Sequence, residues 1–270
     1  MKITMKNILA TVLLLQLSAF TSYAAESSLC EKAAGNQISF SNLLQIRTTP
    51  EFSVITWNAH KLTDRNFMPD LIQLSHETDV ILIQEAMHNS ELQSILTTKF
   101  DFSFSFNKSF CTSDKQATGV MNASRYLLLN NSTLVSPDLE PVTNTPKVSG
   151  YSAVSVPEIG VVHIINTHGL NFDIGSKFDN QINKLAQFIQ TLEGPVIWAG
   201  DFNTWSAGRL KHLDKKAKEL GLSHLLPTTD NRSQKLDHVY IKGLEVIDVQ
   251  ILENIRSSDH LPMKAIFKKI

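Results

Sequence analysis

The chain has 270 residues, 42% hydrophobic and 19% charged, a composition that excludes a disordered or low-complexity protein. With only 11 Gly and 9 Pro it is neither fibrous nor rich in linkers. A formal net charge of -1 excludes a strongly basic polyanion binder, so any grip on nucleic acid must come from local cations or from a metal.

In chain order, residues 1–24 read as a secretory signal. Lys2 and Lys6 precede an apolar stretch from Ile8 to Leu17, which is too short to span a bilayer. Ser22 and Ala24 place small residues where signal peptidase cuts. The alternative is an N-terminal membrane anchor. With the signal removed, no integral membrane segment is expected. Residues 25–52 form an N-terminal extension to a domain over 53–270. Cys30 and Cys111 are the only cysteines. Export makes their single intramolecular pairing chemically possible, and two unpaired thiols are the alternative.

Residues 53–57 are a short β-rich run. Pro69 opens a helix that reaches Glu77, with Leu71, Ile72 and Leu74 on it. Residues 79–84 (DVILIQ) form an apolar run of buried-strand type. Phe102, Phe104 and Phe106 alternate with polar residues as in a half-buried strand. Further strands are expected at 126–129 and 152–156, with a long polar loop over 130–150 between them. After an apolar run at 160–167, Phe178, Ile182, Leu185, Ile189 and Leu192 recur at helical spacing. A strand at 196–199 and a charged helix from Ala207 to Leu220, closed by Gly221, come next. The chain ends in strands at 236–241, 246–252 and 263–267. Alternating strands and helices without an internal repeat indicate one mixed α/β domain.

The informative pattern is polar residues placed at strand ends. Asn58 follows VITW; Gln84 and Glu85 follow VILI; Asn166, Thr167 and His168 follow VHII. Asp201, Phe202 and Asn203 follow VIWAG, Asp237 and His238 lead into VYI, and Ser258, Asp259 and His260 precede LPMKAIF. Strand ends let a rigid sheet converge distant side chains on one mouth. Asp, Glu and Asn supply hard oxygen ligands suited to magnesium, and two histidines can stabilise a phosphate or move protons. Each residue alone has a plain structural explanation; six such groups in one chain shift the balance. His238 is expected to point away from its neighbour Asp237. His60, His76, His88, His163, His212 and His224 lack any such context.

The ordered series WNAH, IQEA, NTHGLNF, AGDFN, LDHVY and SSDHLP resembles the endonuclease/exonuclease/phosphatase (DNase I-like) superfamily over about 54–267. Its wording is similar to the YafD-like bacterial branch at TGVM (118–121), NTHGLNF (166–172) and GDFNTWS (200–206). The resemblance implies a four-layer α/β sandwich, two mixed β-sheets face to face with helices outside. It implies that Glu85 is the principal Mg2+ (or Mn2+) ligand, with Asn58 in the metal and phosphate site and Asp259 assisting. Asp201 would orient or deprotonate the attacking water, Asn203 would position it, and His168 and His260 would contact the scissile phosphate. Asp237 would orient His260. Two departures stand out. Position 60, where some members carry an acid, is His60, and no acidic partner for His168 can be read off.

The expected activity is that of an exported, periplasmic or secreted, monomeric phosphodiesterase acting on DNA or RNA. A phospholipid or small phosphate-ester hydrolase is the alternative, and a binding module that has lost the chemistry is a third reading. Arg125, Lys147, Arg232, Lys235 and Arg256 lie in or beside loops near the motifs, with Arg232 and Arg256 the chosen phosphate contacts. Scattered solubility charges are the plainer reading of each.

Overall fold

The computed structural model describes residues 29–41, 50–173 and 175–268. The signal segment lies outside them. One sheet contains, in spatial order, β1 (Gln37–Phe40), β4 (Ser103–Cys111), β5 (Ala117–Ser124), β3 (Val80–Met87), β2 (Glu51–Asn58), β13 (Met263–Lys268) and β12 (Glu245–Ile251). The other contains β10 (Ser223–Leu225), β11 (Asp237–Lys242), β9 (Val196–Asp201), β8 (Gly160–His168), β7 (Pro146–Val156) and β6 (Leu127–Leu139). The β2/β3 and β8/β9 pairs are parallel and the others antiparallel. Helices α1 (Phe67–His76), α2 (Ser90–Ser94), α3 (Lys177–Gln190) and α4 (Ala207–Glu219) flank the sheets, with a 3-10 turn at His60–Leu62 and a π-helical turn at Ile95–Lys99.

Side-chain alternation along the strands builds the layers. Phe52, Val54, Val80, Leu82, Val162, Ile164, Ile197, Ala199, Val239 and Ile241 form the core between the sheets. Ile55, Trp57, Ile81 and Ile83 point the other way and pack on α1 and α2 through Phe67, Leu71 and Leu92. Trp198, Ile165 and Tyr240 do the same on the second sheet against α3 and α4. The helical spacing in α3 buries Phe178, Ile182, Leu185 and Ile189 on that face, each worth roughly 1.5–3 kcal/mol. This is the four-layer sandwich expected from the sequence.

The inter-sheet layer changes character toward one end. Gln84 donates to Thr56 Oγ1 (2.9 Å) and Asn166 Oδ1 (2.6 Å), and Asn166 donates to the carbonyls of Ile83 and Met121. Asn122 donates to Ser152 Oγ, which donates to Asn131. These buried amides satisfy their NH2 donors on one another, on hydroxyls and on backbone carbonyls, while the Gln84 and Asn122 side-chain oxygens are buried without a hydrogen-bond partner among the described residues.

That layer corrects one expectation. Residues 130–150 are not a loop but most of β6 and the start of β7, joined by a short turn. Their Asn, Ser and Thr content suits an edge strand that faces polar partners; Thr133, for example, donates to Asn107. Pro137 sits where the register slips between Val135 and Leu139, a position that needs no ladder hydrogen bond.

Part of the N-terminal extension joins the sheet. Strand β1 pairs with β4, and a Cys30–Cys111 disulfide ties the preceding segment to the end of β4. Lys108, buried beneath that segment, donates to the carbonyls of Leu29, Cys30 and Lys32. Among the described residues no helix is long and apolar enough to cross a membrane.

Candidate active site

Register brings the strand-end residues together. The two parallel pairs end at the same side of the sandwich, so Asn58 aligns beside Gln84 and His168 beside Asp201. Antiparallel β11 starts where β9 ends, which sets Asp237 opposite Asp201. Antiparallel β13 starts beside Thr56, so His260, three residues earlier, lies at the same mouth. Alternation from the inner core residues directs Asn58, His168, Asp201 and Asp237 inward.

Glu85 breaks this alternation. Ile81 and Ile83 face outward, so regular pleating would send Glu85 with them. Instead its φ is +47°, the ladder to β5 slips between Ile83 and Ala86, and Ala86 takes the outward position. The bulge re-aims the carboxylate into a cavity of about 270 Å3 that Asp259, Lys147 and His168 also line. Asn203 likewise has φ +54°. Gly200 permits the close approach of β9 to β8: a Cβ there, at φ +142°, would lie 2.0 Å from the Thr167 carbonyl oxygen.

Asn58 Nδ2 donates to Asp201 Oδ2 (2.9 Å), and the Asn203 backbone N–H donates to Asp201 Oδ1 (2.9 Å). Asn203 Nδ2 holds the Gly169 carbonyl. His260 Nδ1 binds both oxygens of Asp237, at 3.1 and 3.0 Å, while its Nε2 stands 3.9 Å from Asp201 Oδ2. His168 Nε2 lies 3.7 Å from Asp201 Oδ2 and 3.8 Å from Glu85 Oε1. Lys147 Nζ lies 3.0 Å from that same His168 nitrogen. Lys61 pairs with Glu85 Oε2 at 2.7 Å.

The two histidines have opposite electrostatics. Burial lowers the His260 pKa, but the Asp237 charge and hydrogen bond, with Asp201 and Asp259, overcome this and raise it to about 10. Burial and the Lys147 charge push His168 well below the ordinary histidine value. Burial and Asp237 raise Asp201 to about 6 against the opposing pull of His260 and Asn58. Burial alone would raise Glu85; His168, Lys61 and Lys147 bring it instead to about 2. Because His168 is itself held neutral, the two ammonium groups carry most of that effect. Burial lowers Lys147, partly offset by Glu140, Glu85 and Asp201.

Several sequence expectations take a different place. Arg232 is buried, with its side chain 6% exposed, and its guanidinium is engaged by Asp230 (2.9 Å) and Asp237 (3.4 Å). It braces the partner of His260 and is not a free loop cation. Arg125 is spent on the carbonyls of Thr78, Phe100 and Ser75. Arg256 is exposed and lines a larger cavity of about 690 Å3 on the His260 side. Asp259 sits on the rim, 3.7 Å from His60. His238 does point away, toward Thr204 and His224. Lys61 and Glu140 were not singled out from the sequence. Glu140 is buried and accepts from the backbone N–H groups of Asn171 and Phe172, tying the segment after β8 to the site. Neither carries a sequence signal: Lys61 reaches Glu85 from a left-handed turn over His60, Lys61 and Leu62.

Comparison with known proteins agrees with this fold. A UPF0294 protein of Vibrio vulnificus (strain YJ016) is 30% identical over 223 residues, covering 80% of this chain and 76% of its own. An endonuclease/exonuclease/phosphatase from Beutenbergia cavernae superposes with a TM-score of 0.65 at 15% identity, over 82% of this chain and 72% of that one. ANGEL2, a 2′,3′-cyclic phosphatase crystallised with adenosine-2′,3′-vanadate, superposes with a TM-score of 0.62 at 14% identity, over 88% of this chain and all of that one. The model of the endonuclease/exonuclease/phosphatase family matches residues 55–260, a span that runs from β2 to His260 and holds every member of the cluster, and the chain belongs to that family.

Proposed function

We propose that this chain is an exported, divalent-metal-dependent phosphodiesterase that hydrolyses nucleic acid as a monomer. The observation that carries the reading is the pairing of Asp201, a carboxylate raised toward neutrality, with His260, a histidine held protonated 3.9 Å away. Both values are raised, yet they stand apart at about 6 and about 10, so an ionised Asp201 can serve as base over the same pH range in which a protonated His260 serves as acid.

The donor set fits a hard cation. Glu85 is ionised above about pH 2, Asp259 lines the same cavity, and Asn58 Oδ1 accepts one backbone N–H, from His60, which leaves a second lone pair. The group formed by Asp201, Asp237 and His260 has ligand atoms within 4.8 Å of one another, but its histidine proton is already shared with Asp237, so the Glu85 side is the better seat. Oxygen ligands without cysteine favour Mg2+ or Mn2+. When bound there by Glu85 with Asn58 and Asp259, such an ion supplies charge neutralisation to the phosphoryl oxygens.

The chain's own residues do the rest. Asp201, oriented by Asn58 and the Asn203 N–H, accepts a proton from the attacking water. His260 presents a charged Nε2–H to the developing negative charge, while Asp237 keeps the ring oriented and protonated. Lys147 adds a second positive charge on the His168 side. Cavities of about 270 and 690 Å3 meet at Asp259, between the Glu85 and His260 sides of the site, which suits a diester with a substituent on each side of the phosphate. The adenosine-2′,3′-vanadate held by ANGEL2 supports a nucleotide substrate. Export is supported by the signal-like N-terminus and by the disulfide, a bond that persists in oxidising compartments.

The test is turnover by the purified mature chain, with Mg2+ or with chelator, on single-stranded DNA, RNA, sphingomyelin vesicles and a phosphate monoester. Polynucleotide cleavage abolished by chelation is expected, and Glu85→Gln should raise the metal concentration required. Full activity in excess chelator overturns the metal assignment. Turnover confined to lipid or monoester moves the assignment to the alternative substrates.

A further inference from the structure

The other two tryptophans, Trp57 and Trp198, are fully buried, whereas Trp205 is 46% exposed. Its exposure is not looseness. The indole N–H donates to the Asn171 carbonyl at 2.8 Å. The Arg209 guanidinium lies 4.6 Å from the ring, with Phe178 at 4.5 Å from the same group. Arg209 is itself buried and pinned by the carbonyls of Leu170, Asn203 and Asp173. The ring is thus fixed, its single donor satisfied and a cation stacked against it, while nearly half its surface meets solvent. Ordering such a side chain in advance removes the entropy cost a ligand would otherwise meet.

The ring also has an address. It lies two residues after Asn203, on the segment that leaves the catalytic floor. It lines a groove of about 240 Å3 with Ser233, Gln234, Lys235 and Leu236. Ser233, Gln234 and Leu236 also line the larger cavity that holds Asp237, Arg256 and His260. The two cavities therefore adjoin across these residues, and between His260 and Trp205 they offer side-chain amide and hydroxyl groups, the exposed cations Lys235 and Arg256, and an aromatic surface at the far side. Few aliphatic side chains line them, so they do not match an acyl chain. Cations beside a fixed aromatic ring match a nucleotide, whose backbone is anionic and whose base has a π-face.

Resting on the phosphodiesterase reading above, we propose that Trp205 is a stacking platform for an unpaired nucleobase flanking the scissile phosphate, so that the preferred substrate is single-stranded nucleic acid. In a duplex the base faces are already stacked and the ring has nothing to receive.

The experiment uses the full mature chain and two readouts. In an Asp201→Asn background, an eight-nucleotide oligo(dT) should quench tryptophan fluorescence saturably, since Trp57 and Trp198 are shielded. Trp205→Ala should weaken its binding roughly five- to a hundredfold, and Trp205→Phe should restore most of it. In the otherwise wild-type chain, Trp205→Ala should raise KM for the oligonucleotide and leave turnover of methyl p-nitrophenyl phosphate, too small to reach the ring, unchanged. Unaltered oligonucleotide binding in Trp205→Ala overturns the proposal. Equal loss on both substrates also overturns it, because the ring would then act only by supporting Asn203. Equal dependence on Trp205 for a blunt duplex overturns the single-strand preference. If wild type binds oligonucleotide through Trp205 yet hydrolyses neither substrate with Mg2+, the platform stands and the catalytic reading falls.

Discussion

Lys147 Nζ lies 3.0 Å from His168 Nε2, and this contact, added to burial, decides which nitrogen of the neutral ring carries the proton. An ammonium has only protons to give, so Nε2 must hold the lone pair and the ring proton must sit on Nδ1. Among the described residues no acid partners His168 as Asp237 partners His260; carboxylate oxygens of Asp201 and Glu85 stand at 3.7 and 3.8 Å. On the proposed reading, the proton offered to a phosphate oxygen from this corner would therefore be a lysine's, with the imidazole as its rest.

Replacing Lys147 with Met tests that division. Positive charge and a hydrogen-bond donor leave together, so turnover should fall by about a hundredfold, the scale of losing one donor to a developing oxyanion. With its cationic neighbour gone, His168 should titrate at higher pH. Proton NMR of the histidine ring resonances in wild type and variant reads that shift; an unchanged His168 titration would mean that burial alone keeps the ring neutral.

The pH profile follows from Asp201 and His260. Turnover needs Asp201 ionised and His260 protonated, so it should rise through about pH 6 and fall through about pH 10. Asp237→Asn removes a charge that raises both groups, so both limbs should move to lower pH. Stability runs in one direction for the two groups. Each has a folded pKa above its unfolded one, so its contribution is full below the unfolded value and is lost as pH rises, through about 6 for Asp201 and about 10 for His260. Melting curves in chelator should therefore decline toward alkaline pH, and less so in Asp237→Asn. Asp201→Asn and His260→Ala should each lose at least about a hundredfold in rate while staying folded. Near-normal turnover in either variant refutes its assigned role.

How far the site was legible depended on what each residue needs from its neighbours. Asn58, His168, Asp201 and Asp237 continue the inward phase of apolar strands, so period-two alternation was enough to place them. Glu85 does not; only its left-handed backbone and the bulge against β5 turn it inward, and no residue type announces that. Lys147 was visible as a cation near the motifs, but the polar stretch around it looked like a loop because β6 and β7 pair across a layer of amides and hydroxyls instead of an apolar core. Arg232 lines the larger cavity, but Asp230 and Asp237 engage its guanidinium, and that pairing is a tertiary fact that their closeness in sequence does not announce. The disulfide was legible by counting, since two cysteines in a chain expected to be exported allow one internal bond.

That bond should matter most for the extension. Cys30 and Cys111 are 81 positions apart, and closing a loop of that size is worth up to about 4 kcal/mol in the chain-entropy model. The Cys30→Ser, Cys111→Ser double variant should melt at lower temperature, and amide exchange should quicken first in β1, which holds to the sheet only through β4. Equal melting of the two proteins under oxidising conditions would show that the anchoring of Lys108 on three carbonyls is sufficient by itself.

Salt dependence separates a polynucleotide from a small ester at this site. Each phosphate neutralised on a single strand releases counterions, which adds about -0.7 to the slope of log affinity against log salt. Arg256 and Lys235 are the exposed cations between His260 and Trp205, whereas the Arg232 charge is already balanced by two buried carboxylates. In the Asp201→Asn background, an Arg256→Ala, Lys235→Ala pair should therefore flatten the slope for single-stranded DNA by about 1.4 in all. Arg232→Gln should leave the slope near its original value and instead move the alkaline limb of the pH profile to higher pH in an otherwise wild-type chain, because Asp237 loses the cation that competes with His260 for its charge. A small ester engages one phosphate, so its affinity should show neither effect of the loop cations. A steep slope insensitive to Arg256 and Lys235 would place the polynucleotide on another face of the molecule.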